Sequence, residues 1–227
     1  MLGAQPAART VTHVSAAPER VKNRRGEGGR LREDILRAAA ELLDETGQEQ
    51  SVTLRAVARK VGIAAPSIYG HFASREAVLL AVVQQAFAEL TAQLQTAGAA
   101  AGPDPVDRLR AVGAAYLEFA QQRPQRYRVM FGGVWDVTDA VQADAVSPDE
   151  AAALGQDALA VIVDALLLCV RAGRSASTDP SGDAVALWVA LHGLAHQRAV
   201  VPQFPWPGGT ADRLVERVAL LGADAPG

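Results

Sequence analysis

The stretch TLRAVARKVGIAAPSIYGHFASRE, residues 53–76, predicts two short helices, the turn between them and the start of a third helix. The Thr53 hydroxyl can accept an otherwise orphaned backbone N–H, so it predicts the N-cap of a helix over 53–61. Leu54, Val57, Ala58 and Val61 recur at three- and four-residue steps and give that helix one apolar face. Gly62 breaks it and Ile63-Ala64-Ala65 turns the chain. Pro66 fits the first turn of the next helix, where no N–H is needed. This helix is short and ends near Phe72. Ser74 then caps a longer one, with Glu76 near its positive end. Two short helices joined by a tight turn make a helix-turn-helix pattern. The second helix of such a unit fits the major groove of DNA. Ile68 and Phe72, four apart, can pack inward on Ile35, Leu54 and Val57. Ala65, Ser67, Tyr69, Gly70 and His71 are then left toward the groove or its walls, where hydroxyls and a ring N–H can donate to phosphate oxygens. The competing reading is that Tyr69 and His71 only pack.

Outward from this stretch the pattern stays helical. Leu31, Ile35, Ala38, Ala39, Leu42 and Leu43 form an amphipathic helix that Gly47 stops. The helix from Ser74 runs through Val78, Leu79, Val82, Val83, Phe87, Leu90 and Leu94 to about Gly98. Gly102-Pro103-Asp104-Pro105 marks a break. Helices follow at about 105–122, 124–132, 149–173, 181–200 and 210–221. Loops fall at 175–182 and at 201–209, where three prolines forbid a helix. No alternating pattern places a sheet, so the expected fold class is all-α. Residues 1–30 lack periodicity and predict a flexible arm whose six cations, Arg9, Arg20, Lys22, Arg24, Arg25 and Arg30, can track a DNA backbone.

The net charge of −3 argues against nucleic acid until it is divided. Residues 1–75 carry 12 lysines and arginines against 8 acids, and the remainder carries 10 against 17. A basic front on an acidic body suits one surface that meets phosphate and another that does not. The chain of 227 residues is 49% hydrophobic, enough for a sizeable core, and only 5% aromatic. No apolar run of 18 residues and no leader pattern is read, so neither a membrane span nor a signal peptide is expected, and the cytoplasm is the default. The single cysteine, Cys169, lies in an apolar helical run and predicts an inert core thiol.

With these residues in place, the stretch from Arg32 to about Phe87 resembles the DNA-binding domain of the tetracycline-repressor (TetR) family. The resemblance lies in ILRAAAELL at 35–43, TLRAVARKVGI at 53–63, SIYGHF at 67–72 and SREAVL at 74–79. It implies a homodimer on a palindromic operator, usually as a repressor, with a variable C-terminal helical domain that binds a small molecule and forms the dimer. The chain then divides into an arm at 1–30, a helix-turn-helix domain at 31–76 and an effector-binding and dimerisation domain at 77–227. By the same resemblance Tyr69 and His71 match a phosphate-contacting pair and Thr53 a phosphate-contacting threonine. Arg75 matches a basic residue at the start of the fourth helix, and Arg55 and Ser67 match positions that touch bases or backbone. Gly70 departs, since that position is more often bulky or polar. Base reading is therefore expected to lean on Arg55, Ala65 and Ser67, or on the arm.

In the second domain, aromatic residues gather in two segments, which predicts an apolar cavity with a few polar anchors. The expected lining is Tyr116, Phe119, Tyr127, Phe131, Trp188 and His192. The Trp188-x-x-x-His192-Gly193 arrangement resembles one subgroup of the family's C-terminal domains. His192 and His196 have metal-ligand spacing, but Gly193 replaces the glutamate base of the metalloprotease motif and no third ligand is evident. No metal and no cofactor are therefore expected. Neither paired carboxylates in a motif, a nucleophile elbow, a P-loop nor GxGxxG is present, which argues against an enzyme on a helical bundle. The resemblance implies a four-helix dimer interface from the helices at 181–200 and 210–221. The remaining alternative is a DNA-binding architectural protein that needs no effector.

Overall fold

The computed structural model describes residues 27–131 and 135–222. Residues 1–26 of the expected arm, residues 132–134 and residues 223–227 lie outside the described residues, and residues 27–30 of that arm begin the first helix. Helix α1, Glu27–Thr46, starts four residues ahead of the sequence expectation and ends at Gly47. A 3-10 turn, Glu49–Ser51, leads to α2, Leu54–Val61. The Thr53 hydroxyl accepts from the Ala56 N–H at 3.1 Å, as an N-cap should. Gly62 closes α2 at φ +78°, a conformation that only glycine adopts without strain, and Ile63 N–H reaches back to the Ala58 carbonyl at 2.9 Å.

The second unit of the helix-turn-helix is a 3-10 helix, Ala65–Gly70, with Pro66 in its first turn. It is tighter than the expected α-helix, and the length explains it. Seven residues between Pro66 and the extended Ser74 leave little room for a second i→i+4 turn, and short segments tighten to i→i+3. Ile68 is fully buried and Phe72 nearly so, with Ile35, Ala39, Leu43, Val52 and Val57 around them in one core cluster.

Helix α3, Arg75–Ala100, begins at the Ser74 cap, whose hydroxyl accepts from Ala77 N–H at 3.1 Å. It continues past Gly98, where a Cβ would crowd Val112, and the chain turns at Gly102 with φ +87°. Then come α4, Pro105–Gln122, and α5, Pro124–Phe131. Two short helices follow, α6, Val137–Gln142, and α7, Pro148–Ala153. The body ends with α8, Gln156–Arg171, α9, Pro180–Val200, and α10, Thr210–Val218. Helices α3, α4, α8 and α9 pack into one bundle, with α10 against α4 and α9. Among the described residues there is no named strand, only an isolated antiparallel bridge between Ser175 and Leu221. The fold is all-α, as expected.

Two expectations on elements are corrected. The single helix expected over 149–173 is two, α7 and α8, parted at Leu154-Gly155. Gly155 sits at φ +80°, and a Cβ there would lie 2.8 Å from the Phe87 ring and 3.2 Å from Trp188. The break is therefore enforced by backbone and packing together. The 3-10 form of the second short helix is the other. Arg75–Ala100 and Pro148–Arg171 reach the length and mean hydropathy of a bilayer span, although neither is an unbroken apolar run. Half of the first is buried inside the protein, as a core helix is, and the second is interrupted at Gly155.

Candidate functional site

The face around the 3-10 helix divides the way its alternating burial dictates. Ile68 anchors it from behind, while Tyr69, the next residue, is 62% exposed. Its ring and hydroxyl are therefore open to a partner on this face. His71 is half-buried beside it, and its backbone N–H donates to the Ile68 carbonyl at 2.8 Å. Thr53 and Arg55 are exposed at the start of α2, with Arg59 exposed one turn on from Arg55. Ala65 and Ser67 are half-buried at the start of the 3-10 helix. Gly70 is exposed, and a Cβ there would meet nothing within 4 Å. Space therefore does not require glycine at this point.

Arg75 is placed differently from the rest. Its Nε donates to the Val52 carbonyl at 3.0 Å and its Nη2 to the Glu49 carbonyl at 2.8 Å. Glu49 and Glu76 carboxylates lie 3.5 and 3.6 Å from the guanidinium. Within the protein the side chain acts as a tie, because it clamps the turn before α2 to the start of α3. Sequence reading missed this role, since the acceptors are backbone carbonyls more than twenty residues upstream. The exposed Arg32 of α1 lies over the same unit, with its guanidinium 4.9 Å from the Phe72 ring centre.

The second candidate site lies in the body. Tyr116, Tyr127, Phe131, Trp188 and His192 come together with Phe87, which sequence reading assigned to the core of its helix. Tyr116 Oη and Tyr127 Oη are 3.2 Å apart, and Tyr127 Oη is 2.7 Å from His192 Nδ1. Burial pushes the Tyr127 phenol up to about 12 and Tyr116 higher still, so both stay protonated. Burial first, and then the nearby His196, holds His192 below its ordinary value of 6.5.

The expected cavity is smaller than its aromatic lining suggested. Tyr116 has no exposed surface and is packed on all sides, as is Phe119, whose ring faces the Arg123 guanidinium instead. Trp188 stacks edge-on against Tyr116 and Phe131. These three wall the cluster from within. What is open is a cleft of about 80 Å³ between α4, α5 and α9, lined by Ala120, Pro124, Tyr127, Phe131, His192 and Ala195, with Arg128, His196 and Ala199 also on it. Among the described residues no three metal-ligating side chains converge, and His196 is exposed. Cys169 is fully buried, donates to the Pro105 carbonyl at 3.2 Å, and is pushed up to about 11 chiefly by burial.

The cleft is wired to the front of the molecule through α5. Arg126 pairs with Glu89 of α3 and lies 3.5 Å from Asp44 of α1, and Arg123 shares the same Glu89. Tyr127 and Phe131 on the same helix line the cleft. The exposed apolar side chains of the body gather elsewhere. Leu168 of α8, Val185, Val189 and Val200 of α9, and Val201 and Phe204 beyond it are all exposed. The α10 residues Val215 and, just after it, Ala219 are buried inward.

Residues 35–82 match the sequence model described as bacterial regulatory proteins, tetR family, and residues 109–220 match the tetracyclin repressor-like C-terminal domain. An uncharacterized HTH-type transcriptional regulator of Mycobacterium tuberculosis is 30% identical over 136 residues, which are 58% of this chain and 61% of that protein. The nucleoid occlusion factor SlmA of Photobacterium profundum is 29% identical over 101 residues, 44% of this chain and 51% of that one. The chain thus spans between half and two thirds of the length of these curated relatives. A TetR family transcription regulator from Marinobacter aquaeolei VT8 superposes with a TM-score of 0.60 at 15% identity, over 86% of this chain and 97% of that one.

Proposed function

Because the chain belongs to the TetR family by both of its halves, we propose that it is a ligand-responsive DNA-binding regulator, a repressor released from a palindromic operator by a small molecule. The family's relatives are transcription regulators rather than enzymes. The observation that carries the DNA reading is the exposed Tyr69 with His71 beside it, on a 3-10 helix anchored through buried Ile68. In this reading Tyr69, His71 and Thr53 hold phosphates, while Arg55, Ala65 and Ser67 approach the bases. The DNA-binding unit is 31–76, and the body from 77 onward carries the effector cleft and the dimer.

The dimer face is α9 with α10, as the resemblance implies. Val185, Val189, His196 and Val200 fall on one stripe of α9, and Leu168 stands on the outer stripe of α8. A second copy is the occupant that buries this stripe symmetrically. One face of α10 packs into the body through Val215, with Ala219 just after it, and its outer face is left for the partner. The dimer sets two recognition helices about 34–36 Å apart, one turn of B-DNA. An effector in the cleft favours a state with another spacing, and it can do so only by its differential affinity for the two. Helix α3 runs through both units and α5 ties the cleft to α1, so both are levers.

A second reading, a DNA-binding protein that needs no effector, is favoured by the small size of the cleft and by the name of the relative SlmA. The test is fluorescence anisotropy of duplexes from upstream of the protein's own gene against unrelated duplexes, across salt concentrations. Tighter binding to a palindrome, with affinity falling steeply as salt rises, supports the regulator. Equal affinity for every duplex at every salt would overturn it.

A further inference from the structure

Three polar atoms in the aromatic cluster share two hydrogen bonds, and only one order of the protons gives both phenol hydrogens an acceptor. Tyr116 is fully buried, and among the described residues its hydroxyl has Tyr127 Oη as its partner. If Tyr127 donated to Tyr116, the Tyr116 O–H would be left without an acceptor in a dry site, at a cost of about 1–3 kcal/mol. In the other order Tyr116 donates to Tyr127, Tyr127 donates to His192 Nδ1 across 2.7 Å, and both phenol protons are satisfied. A neutral imidazole that accepts at Nδ1 carries its proton on Nε2. Burial and His196 both disfavour the imidazolium that would blur this assignment. Nε2 has no hydrogen-bond partner among the described residues, and His192 lines the cleft.

The other walls supply no competing polar group at this depth. Ala120, Pro124, Phe131 and Ala195 are apolar, and Tyr127 has both of its partners already. Arg128 and His196 are exposed at the rim. The rings of Tyr127 and His192 lie 27° from parallel, with Phe131 edge-on to His192. We propose that this cleft admits a small, flat, largely apolar molecule bearing a hydrogen-bond acceptor, a carbonyl or carboxylate oxygen, which His192 Nε2–H binds. This rests on the reading of the cleft as the effector site. A volume of about 80 Å³ suits a single ring entering from the open rim. A ligand offering only donors meets an N–H and is rejected.

Two measurements on the full chain test this. The first is a long-range 15N–1H spectrum of the histidine rings at neutral pH, which reads the tautomer without any ligand. Nε2–H at His192 is expected, and an Nδ1–H tautomer overturns the proposal. The second titrates acetophenone, benzoate, toluene and benzylamine into wild type and His192→Phe, following the ring resonances of Phe131 and residue 192. Acetophenone and benzoate are expected to bind wild type roughly three- to tenfold tighter than toluene and to lose that advantage in the variant. Binding of all four without preference overturns the acceptor assignment but leaves the cleft as a ligand site. No perturbation by any of them overturns both.

Discussion

At the residue scale, Ile68 and Tyr69 are neighbours in sequence and opposites in surroundings. One is fully buried and the other is 62% exposed. Truncating the first should act through stability. Ile68→Ala should cost about 2–5 kcal/mol, as cavity-forming changes do, and appear as a lower thermal midpoint. Trimming the second should act through DNA. Tyr69→Phe removes one hydroxyl and should weaken binding by about two- to tenfold on operator and unrelated duplex alike, with no change in thermal midpoint. A drop confined to the operator would mean that Tyr69 reads bases. His192 adds a pH dependence of known sign. Its folded value lies below 6.5, so between the two values the unfolded chain binds more protons. Stability from this group is present above about pH 6.5 and is lost as pH falls through the folded value. Thermal midpoints of wild type should therefore fall more than those of His192→Gln on acidification from pH 7.5 to 5.5.

At the scale of elements, the helix ends were legible because their caps are local. Thr53 and Ser74 each announce a helix start by residue type, and each side chain accepts the expected backbone N–H; Asp104 and Asp179 cap α4 and α9 in the same way. What depends on contacts distant in sequence was not legible. The break at Gly155 is set partly by the Phe87 and Trp188 rings, and the role of Arg75 by carbonyls at Glu49 and Val52. Burial of Phe119 away from the cleft follows from how α4 rotates in the bundle, which periodicity alone does not fix. Gly155→Ala should strain the backbone and press on both rings, destabilising the protein by about 1–3 kcal/mol in denaturant titration. Arg126→Ala should cost at most about 1 kcal/mol, because its partners are partly exposed. It should nonetheless speed amide exchange in residues 41–47, the end of α1 that Arg126 holds near Asp44.

At the scale of the whole molecule, the two exposed features lie in different units. The helix-turn-helix carries the exposed tyrosine, and the body carries the exposed valines of α9. The proposed dimer joins these two features, because the spacing of two recognition faces is set where α9 and α10 meet their partners. Val189→Asp places a charge in the middle of that stripe and should shift the protein toward monomer in analytical ultracentrifugation. The account's central claim is that Tyr69 and His71 grip the DNA backbone. It is tested most directly by anisotropy titrations of Tyr69→Phe/His71→Ala against wild type, on a palindromic and an unrelated duplex at several salt concentrations, with the fold checked by circular dichroism. The account predicts a folded variant whose affinity falls on both duplexes by a similar factor. A folded variant with wild-type affinity on both would contradict it.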